Sequence, residues 1–311
     1  MSADSLDNFA YLRAAEHTSK AQRKHYWAVA IGLQAVDGLH VSPYLEDQAQ
    51  SYISGEKTLE EVGSLVRAYH SAEDSDKTYD IDSGNKTSND NRKKFKEADL
   101  VSQRIAELLA RGAFYLAPEM LVDIHRYLFQ DLDQAIYHAG EFKKERMVKQ
   151  EEILNGDSVL YADPLTYDMS LKGAFASEVA KAYGAFTNDE LKSFCHTISF
   201  LWQIHPFYEG NTRAIAVFSE LYLNYLGFQV ENEPFAQHAR YYRDALVRAM
   251  YRNAAAGIFP DDRYLVTFYE NLLGIKYNEL NREELMCPAL FDNPALLRNI
   301  DPQEALVRSD K

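Results

Sequence analysis

Apolar residues recur at helical spacing along most of the chain, and strict alternation is rare. "KAQRKHYWAVAIGLQAV" (20–36) reads as an amphipathic helix stopped at Asp37-Gly38. "SPYLEDQAQSYISG" (42–55) opens on a Ser42 cap with Pro43 in the first turn, and "TLEEVGSLVRAYHSAE" (58–73) carries the capping-box spacing of Thr58 and Glu61. Together they predict a small helical module over residues 1–75. The polar stretch "DSDKTYDIDSGNKTSNDN" (74–91) breaks the period and is read as a linker, 76–91. Helical period then returns in seven runs, from "KKFKEADLVSQRIAELLARG" to residue 273, and defines a core of 92–275. One segment differs: "MVKQEEILNGDSVLYADP" (147–164) has two short extended pieces around Asn155-Gly156, a hairpin signal. The tail, 276–311, holds three prolines and is expected to pack loosely. The fold class expected is all-α with one β-hairpin.

Charge narrows the functional classes. The 311 residues carry 33 Lys and Arg against 47 Asp and Glu, a net charge of −14. Sequence-independent nucleic-acid binding relies on cationic surface, so it is disfavoured, whereas a small local site for one nucleotide is compatible with this field. Cys195 and Cys287 form no CxxC pattern, which argues against a disulfide framework or thiolate zinc site. "MSADSLDNFAYLRAAE" has no apolar core of the kind a signal peptide needs, and no run has membrane-spanning length. The expected setting is cytoplasmic; export as an effector is not readable from sequence.

The chemistry concentrates in "HPFYEGNTRA", residues 205–214. His205 precedes a turn forced by Pro206, and a neutral imidazole accepts a proton near neutral pH. Glu209 is a hard oxygen donor suited to Mg²⁺ that keeps waters and phosphate oxygens. Gly210 lets backbone approach a ligand, and Asn211 and Thr212 start the next helix, whose free amides suit an anion. Arg213 can fork onto phosphate oxygens. These are the parts that phosphoryl or nucleotidyl transfer requires.

The run resembles the Fic family motif, His-Pro-Phe-x-(Asp/Glu)-Gly-Asn-(Gly/Lys)-Arg with a second Arg further on, at His205, Pro206, Phe207, Glu209, Gly210, Asn211 and Arg213. The likeness extends over residues 92–275. It implies a protein adenylyltransferase that moves AMP from ATP to a Ser, Thr or Tyr hydroxyl of a target protein. In that reading His205 is the base, Glu209 holds Mg²⁺, Gly210, Asn211, Thr212 and Arg213 bind the phosphates, and Tyr242 lies beside the nucleotide. The hairpin, with Ile153, Leu154, Asn155 and Gly156, resembles the family's flap, which holds a target segment by strand addition.

Two departures bear on activity. Thr212 replaces Gly or Lys, which a backbone amide tolerates. Ala216 stands where the second Arg is expected. The N-terminal module resembles the three-helix antitoxins that restrain some Fic enzymes through (Ser/Thr)-x-x-x-Glu-(Gly/Asn). Here Leu33 and Asp37 occupy the Ser/Thr and Glu positions. With Ala216 opposite, both halves of the inhibitory ion pair are expected to have decayed, leaving weak or no inhibition.

Bland assignments cover the rest. His125, His138 and His196 lie in helical runs and are expected to pack or face solvent. The aromatic stripe of Tyr241 and Tyr242, with Arg243, is more often core than ligand contact. No Walker A, GxGxxG or HExxH pattern occurs. Two alternatives stay open: a silent Fic-fold module that binds nucleotide or peptide, and the same chemistry with another donor such as UTP. Homo-oligomerisation is also open.

Overall fold

The computed structural model describes residues 18–75, 86–184 and 186–300. Helix α1 (Lys20–Gly32) starts at a capping box of Ser19 and Gln22, then tightens into a 3₁₀ segment, Leu33–Asp37, closed by left-handed Gly38. Helix α2 (Pro43–Ser54) and α3 (Leu59–Ser75) follow, at the predicted caps Ser42 and Thr58. Helix α4 (Lys86–Arg111) begins inside the stretch read as a linker, of which residues 76–85 lie outside the described residues. Next come α5 (Pro118–Phe129), α6 (Gln134–Tyr137), α7 (Tyr167–Val179), α8 (Asn188–Ile204), α9 (Asn211–Tyr225), α10 (Glu233–Met250), α11 (Arg263–Leu272) and α12 (Pro288–Asp292). None of the described helices is long and apolar enough to cross a membrane.

The chain is all-α apart from one antiparallel hairpin, β1 (Val148–Gln150) and β2 (Ser158–Leu160), in the register Lys149 opposite Val159. Asn155 and Gly156 both adopt positive φ, as an Asn-Gly turn demands. The turn is nevertheless longer than a two-residue loop, because Glu152–Leu154 forms a 3₁₀ turn before it. Ile153 and Leu154 are apolar enough to be drawn inward and are buried.

Helix α1 packs on α4 and α10, and its Trp27, Val29 and Ala30 join the same core as the helices that follow. Gly32 allows this: a Cβ there would sit 2.4 Å from the backbone of Ala236. The joint is also polar. Asp99 on α4, fully buried, accepts from Ser42 N and Oγ at 2.8 and 2.6 Å and pairs with His70 at 2.9 Å. A buried carboxylate needs such partners to be tolerated.

The tail departs from expectation. Leu285, Cys287 and Leu290 are buried, Cys287 N donates to Ile153 O at 3.0 Å, and Asn155 Nδ2 donates to Leu290 O at 3.0 Å. Prolines stop long helices here, but the apolar residues between them still find the flap. Residues 301–311 lie outside the described residues.

Candidate active site

Helix α8 runs into Pro206, and a residue before proline disfavours the right-handed helical region. His205 accordingly turns left-handed, at φ 51°, a conformation that costs a non-glycine residue of order 1 kcal/mol and must be held from outside. Lys143 holds it: its Nζ donates to His205 O and its backbone N–H to Pro206 O at 2.8 Å. Asn211 braces the next step, accepting from Phe207 N at 3.0 Å and donating to Phe207 O at 2.8 Å. Glu209 O accepts from His125 Nε2 at 2.9 Å, and the His125 ring stacks on Phe207 at 3.8 Å. His125 is therefore a buried structural residue, in line with its bland reading.

Gly210 is the N-cap of α9, at φ 76°. A Cβ there would lie 2.1 Å from the Phe129 ring, so no other residue fits. Having no side chain, it cannot cap the helix, and the amides of Asn211, Thr212 and Arg213 donate to no backbone carbonyl. Thr212 Oγ1 instead accepts from Trp202 Nε1 at 3.0 Å.

The imidazole of His205 and the carboxylate of Glu209 line one cavity with Gly210, Asn211 and Thr212. The free space in this cavity, about 10 Å³, is about enough for one water molecule, far below the roughly 300 Å³ at which ligand pockets generally begin. Five residues outside the motif complete its wall: Asp37 from the 3₁₀ segment, Lys149 on β1, Tyr161 after β2, Trp202 on α8 and Arg243 on α10. Tyr161 stacks on the His205 ring at 3.7 Å. Both imidazole nitrogens lack a hydrogen-bond partner, and so does the Tyr161 hydroxyl. Burial first, then the charges of Lys143 and Lys149, hold His205 well below its ordinary pKa. The imidazole is thus neutral, the form a base requires.

Arg213 is buried over the Phe129 ring. Its Nη2 donates to Glu97 at 2.7 Å and Nη1 to Gln34 at 3.1 Å, while Nε lies 2.9 Å from Asp37 Oδ2. The Nε contact is a charge contact without hydrogen-bond alignment. Asp37 thus retains an arginine partner, contrary to the expectation that the ion pair had decayed. That partner is Arg213, one helical turn before Ala216. Leu33 and Ala216 are both fully buried in the core.

One further expectation needs correction. Tyr242 is fully buried against Phe235 and Phe268, with its hydroxyl 3.3 Å from that of Tyr269, and is a core residue. Of the flap residues, Ile153 and Leu154 are buried and Asn155 Nδ2 donates to Leu290 O, so these side chains face the fold, while strand addition would draw on the hairpin backbone. The flap reaches the site through Lys149, whose Nζ lies 3.3 Å from Glu209 Oε2, and through Tyr161. Lys149, Tyr161 and Glu97 carry no local signature; Arg243 was visible only as part of an aromatic stripe.

No group of three or more His, Cys, Asp or Glu side chains among the described residues is arranged to hold a metal. Glu209, a lone half-exposed carboxylate, fits Mg²⁺ that brings its other oxygens as water and substrate phosphate.

The turn, its bracing and the helix start all fall within residues 115–223, which match the family model described as Fic/DOC family. This stretch is a Fic/DOC family domain. No curated protein matches the chain. The Fic/DOC domain spans α5 to α9, so Asp37, Glu97 and Arg243 enter its site from outside the matched residues. Domains of this family are known for AMPylation-type transferase activity.

Proposed function

We propose that the chain is a protein adenylyltransferase whose site is held shut by its own N-terminal segment. One observation carries the reading: a neutral imidazole, the Glu209 carboxylate and uncapped helix amides line one cavity, and an acidic side chain, Asp37, closes its wall beside Arg213. A carboxylate is the natural occupant of an anion site in the absence of phosphate.

On this reading Asp37 and Tyr161 withdraw to admit ATP. His205 takes the proton of a target hydroxyl as that oxygen bonds to the α-phosphorus, and the bond from that phosphorus to the bridging oxygen of pyrophosphate breaks. The uncapped amides of α9 receive the developing charge on the phosphoryl oxygens. Glu209 is the residue that would hold Mg²⁺, which when bound neutralises phosphate charge. A target segment would pair with the outer edge of β1, because on β2 Arg298 O accepts from Ser158 N at 3.3 Å.

The closed cavity also favours a second reading, a silent module that binds without transferring. Mass spectrometry of the full chain and of Asp37→Ala, incubated with Mg-ATP and a cell lysate, separates the two. An AMP adduct that disappears in His205→Ala supports transfer. Absence of any adduct from the Asp37 variant overturns it. Competition with UTP, GTP and CTP identifies the donor.

A further inference from the structure

Helices α3 and α4 enclose a second cleft, which shares no lining residue with the cavity at His205. Its free space, about 480 Å³, is of the size that holds a small-molecule ligand. Leu59, Glu60 and Arg67 line it from α3, and Arg104, Glu107 and Arg111 from α4. Three arginines thus face one cleft in a chain whose net charge is −14.

Like charges drawn together call for counter-charge. Arg104 has it: Nε donates to Asp131 at 3.0 Å and Nη1 to Glu107 at 3.2 Å. Glu107 also accepts from the Tyr127 hydroxyl and is thereby matched. Arg111 lies over the Tyr127 ring at 5.1 Å, and neither it nor Arg67 makes a hydrogen bond or ion pair among the described residues. Glu60, the other carboxylate of the lining, is exposed, so water screens it.

The two unmatched guanidinium groups belong to opposite ends of the cleft. A Cβ on Gly63 would lie 2.5 Å from Gln103 Nε2 and 3.1 Å from Arg67 Nη1, so these groups meet over the glycine. Gln103 is fully buried, and both its amide oxygen and its amide nitrogen lack a partner. An unsatisfied buried amide marks a place where a hydrogen-bonding group is missing. Arg111 stands eight residues beyond Gln103, about 12 Å along the axis of α4. On the facing helix, the first-turn amides of Leu59 and Glu60 donate to no backbone carbonyl, since the cap Thr58 accepts from Glu61 N at 3.2 Å. Arg104 and Glu107, matched to each other, separate the two ends.

We infer that the α3–α4 cleft binds a small molecule that carries two phosphate groups. One phosphate meets Arg67 beside Gln103, and the other meets Arg111 and the amides that open α3. Guanidinium forks and helix-start amides both match phosphate oxygens. A single phosphate is too small to engage both ends at once. No aromatic side chain is among the lining residues to stack on a base, so a bisphosphorylated sugar or polyol fits better than a nucleotide. The cleft lies outside the matched residues 115–223, and binding there is independent of transfer at His205.

Isothermal titration calorimetry of the full chain at constant ionic strength tests this, with fructose bisphosphate, fructose monophosphate, tripolyphosphate and inorganic phosphate as probes. Fructose bisphosphate should bind about tenfold or more tighter than the monophosphate or inorganic phosphate. Arg67→Ala and Arg111→Ala should each weaken it about tenfold, the loss of one charge-assisted contact. Both side chains are partly exposed, so both variants should melt close to the unaltered chain. Lys149→Ala, in the wall of the other cavity, should leave the affinity within about twofold.

An equal affinity for the bisphosphate and the monophosphate, or a loss in only one of the two arginine variants, would overturn the two-ended site. A loss of the same size in Lys149→Ala would move the binding to the cavity at His205 and overturn it as well. So would the absence of binding by both fructose bisphosphate and tripolyphosphate.

Discussion

Asp37 Oδ2 lies 2.9 Å from Arg213 Nε, close enough for charge attraction but out of line with the N–H. The short aspartate arm brings opposite charges together without completing a hydrogen bond, so the closure is intrinsically weak. Asp37→Ala should raise Mg-ATP affinity about tenfold, the equivalent of roughly 1.4 kcal/mol, and Asp37→Glu should lower it by allowing alignment. Calorimetric titration of both variants checks this; unchanged affinity in the pair removes Asp37 from the gate.

Protonation of the buried imidazoles sets the acid limit of stability. His125 accepts from Gly140 N through Nδ1 and donates through Nε2, and burial lowers its pKa from 6.5 to about 3. His205 is depressed too, by burial and then by Lys143. A folded pKa below the unfolded one means stability that is complete above pH 6.5 and lost as pH falls from there. Each group costs about 1.4 kcal/mol per pH unit. Urea denaturation at pH 7.5, 6 and 5 should show this decline, and His125→Asn should make it shallower. A flat profile would contradict the burial of both rings.

Gly210→Ala meets two obstacles, a left-handed backbone and the Phe129 ring 2.1 Å from the new Cβ. The expected loss is roughly 2–4 kcal/mol by combining backbone strain with overpacking. Adding Phe129→Leu should return only the overpacking part. Full rescue by that second change would show that the backbone strain is negligible.

Asp157 ties the flap to the tail. Its fully buried carboxylate accepts from the Tyr251 hydroxyl, Asn253 Nδ2, Arg298 N and Nε, and Ser158 N. Asp157→Ala strands these donors and should cost roughly 3–5 kcal/mol, as breaking a buried charged cluster does. Hydrogen exchange should rise first in residues 294–300 and the flap. Exchange confined to the flap would mean that the tail is held by its apolar contacts alone.

The sequence by itself determined most of the local structure. Helical period, the caps at Ser42 and Thr58 and the Asn155-Gly156 turn all appear where the chain pattern put them, because each depends on residues a few positions apart. The turn from His205 to Arg213 was legible for the same reason: proton acceptor, carboxylate and helix start share nine consecutive positions. What the tertiary structure decided is everything that reaches that turn from elsewhere. Whether Tyr242 faces a ligand or the core cannot be read from helical spacing, since a neighbour one residue on, Arg243, points into the cavity while Tyr242 packs on Phe268. Asp37 meets Arg213 only because α1 lies across α4 and α10, and Tyr161 covers His205 only because the hairpin folds back over it. Local conformation follows short-range sterics and hydrogen bonding along the chain. The closing of the site follows from long-range packing that no nearby residue encodes.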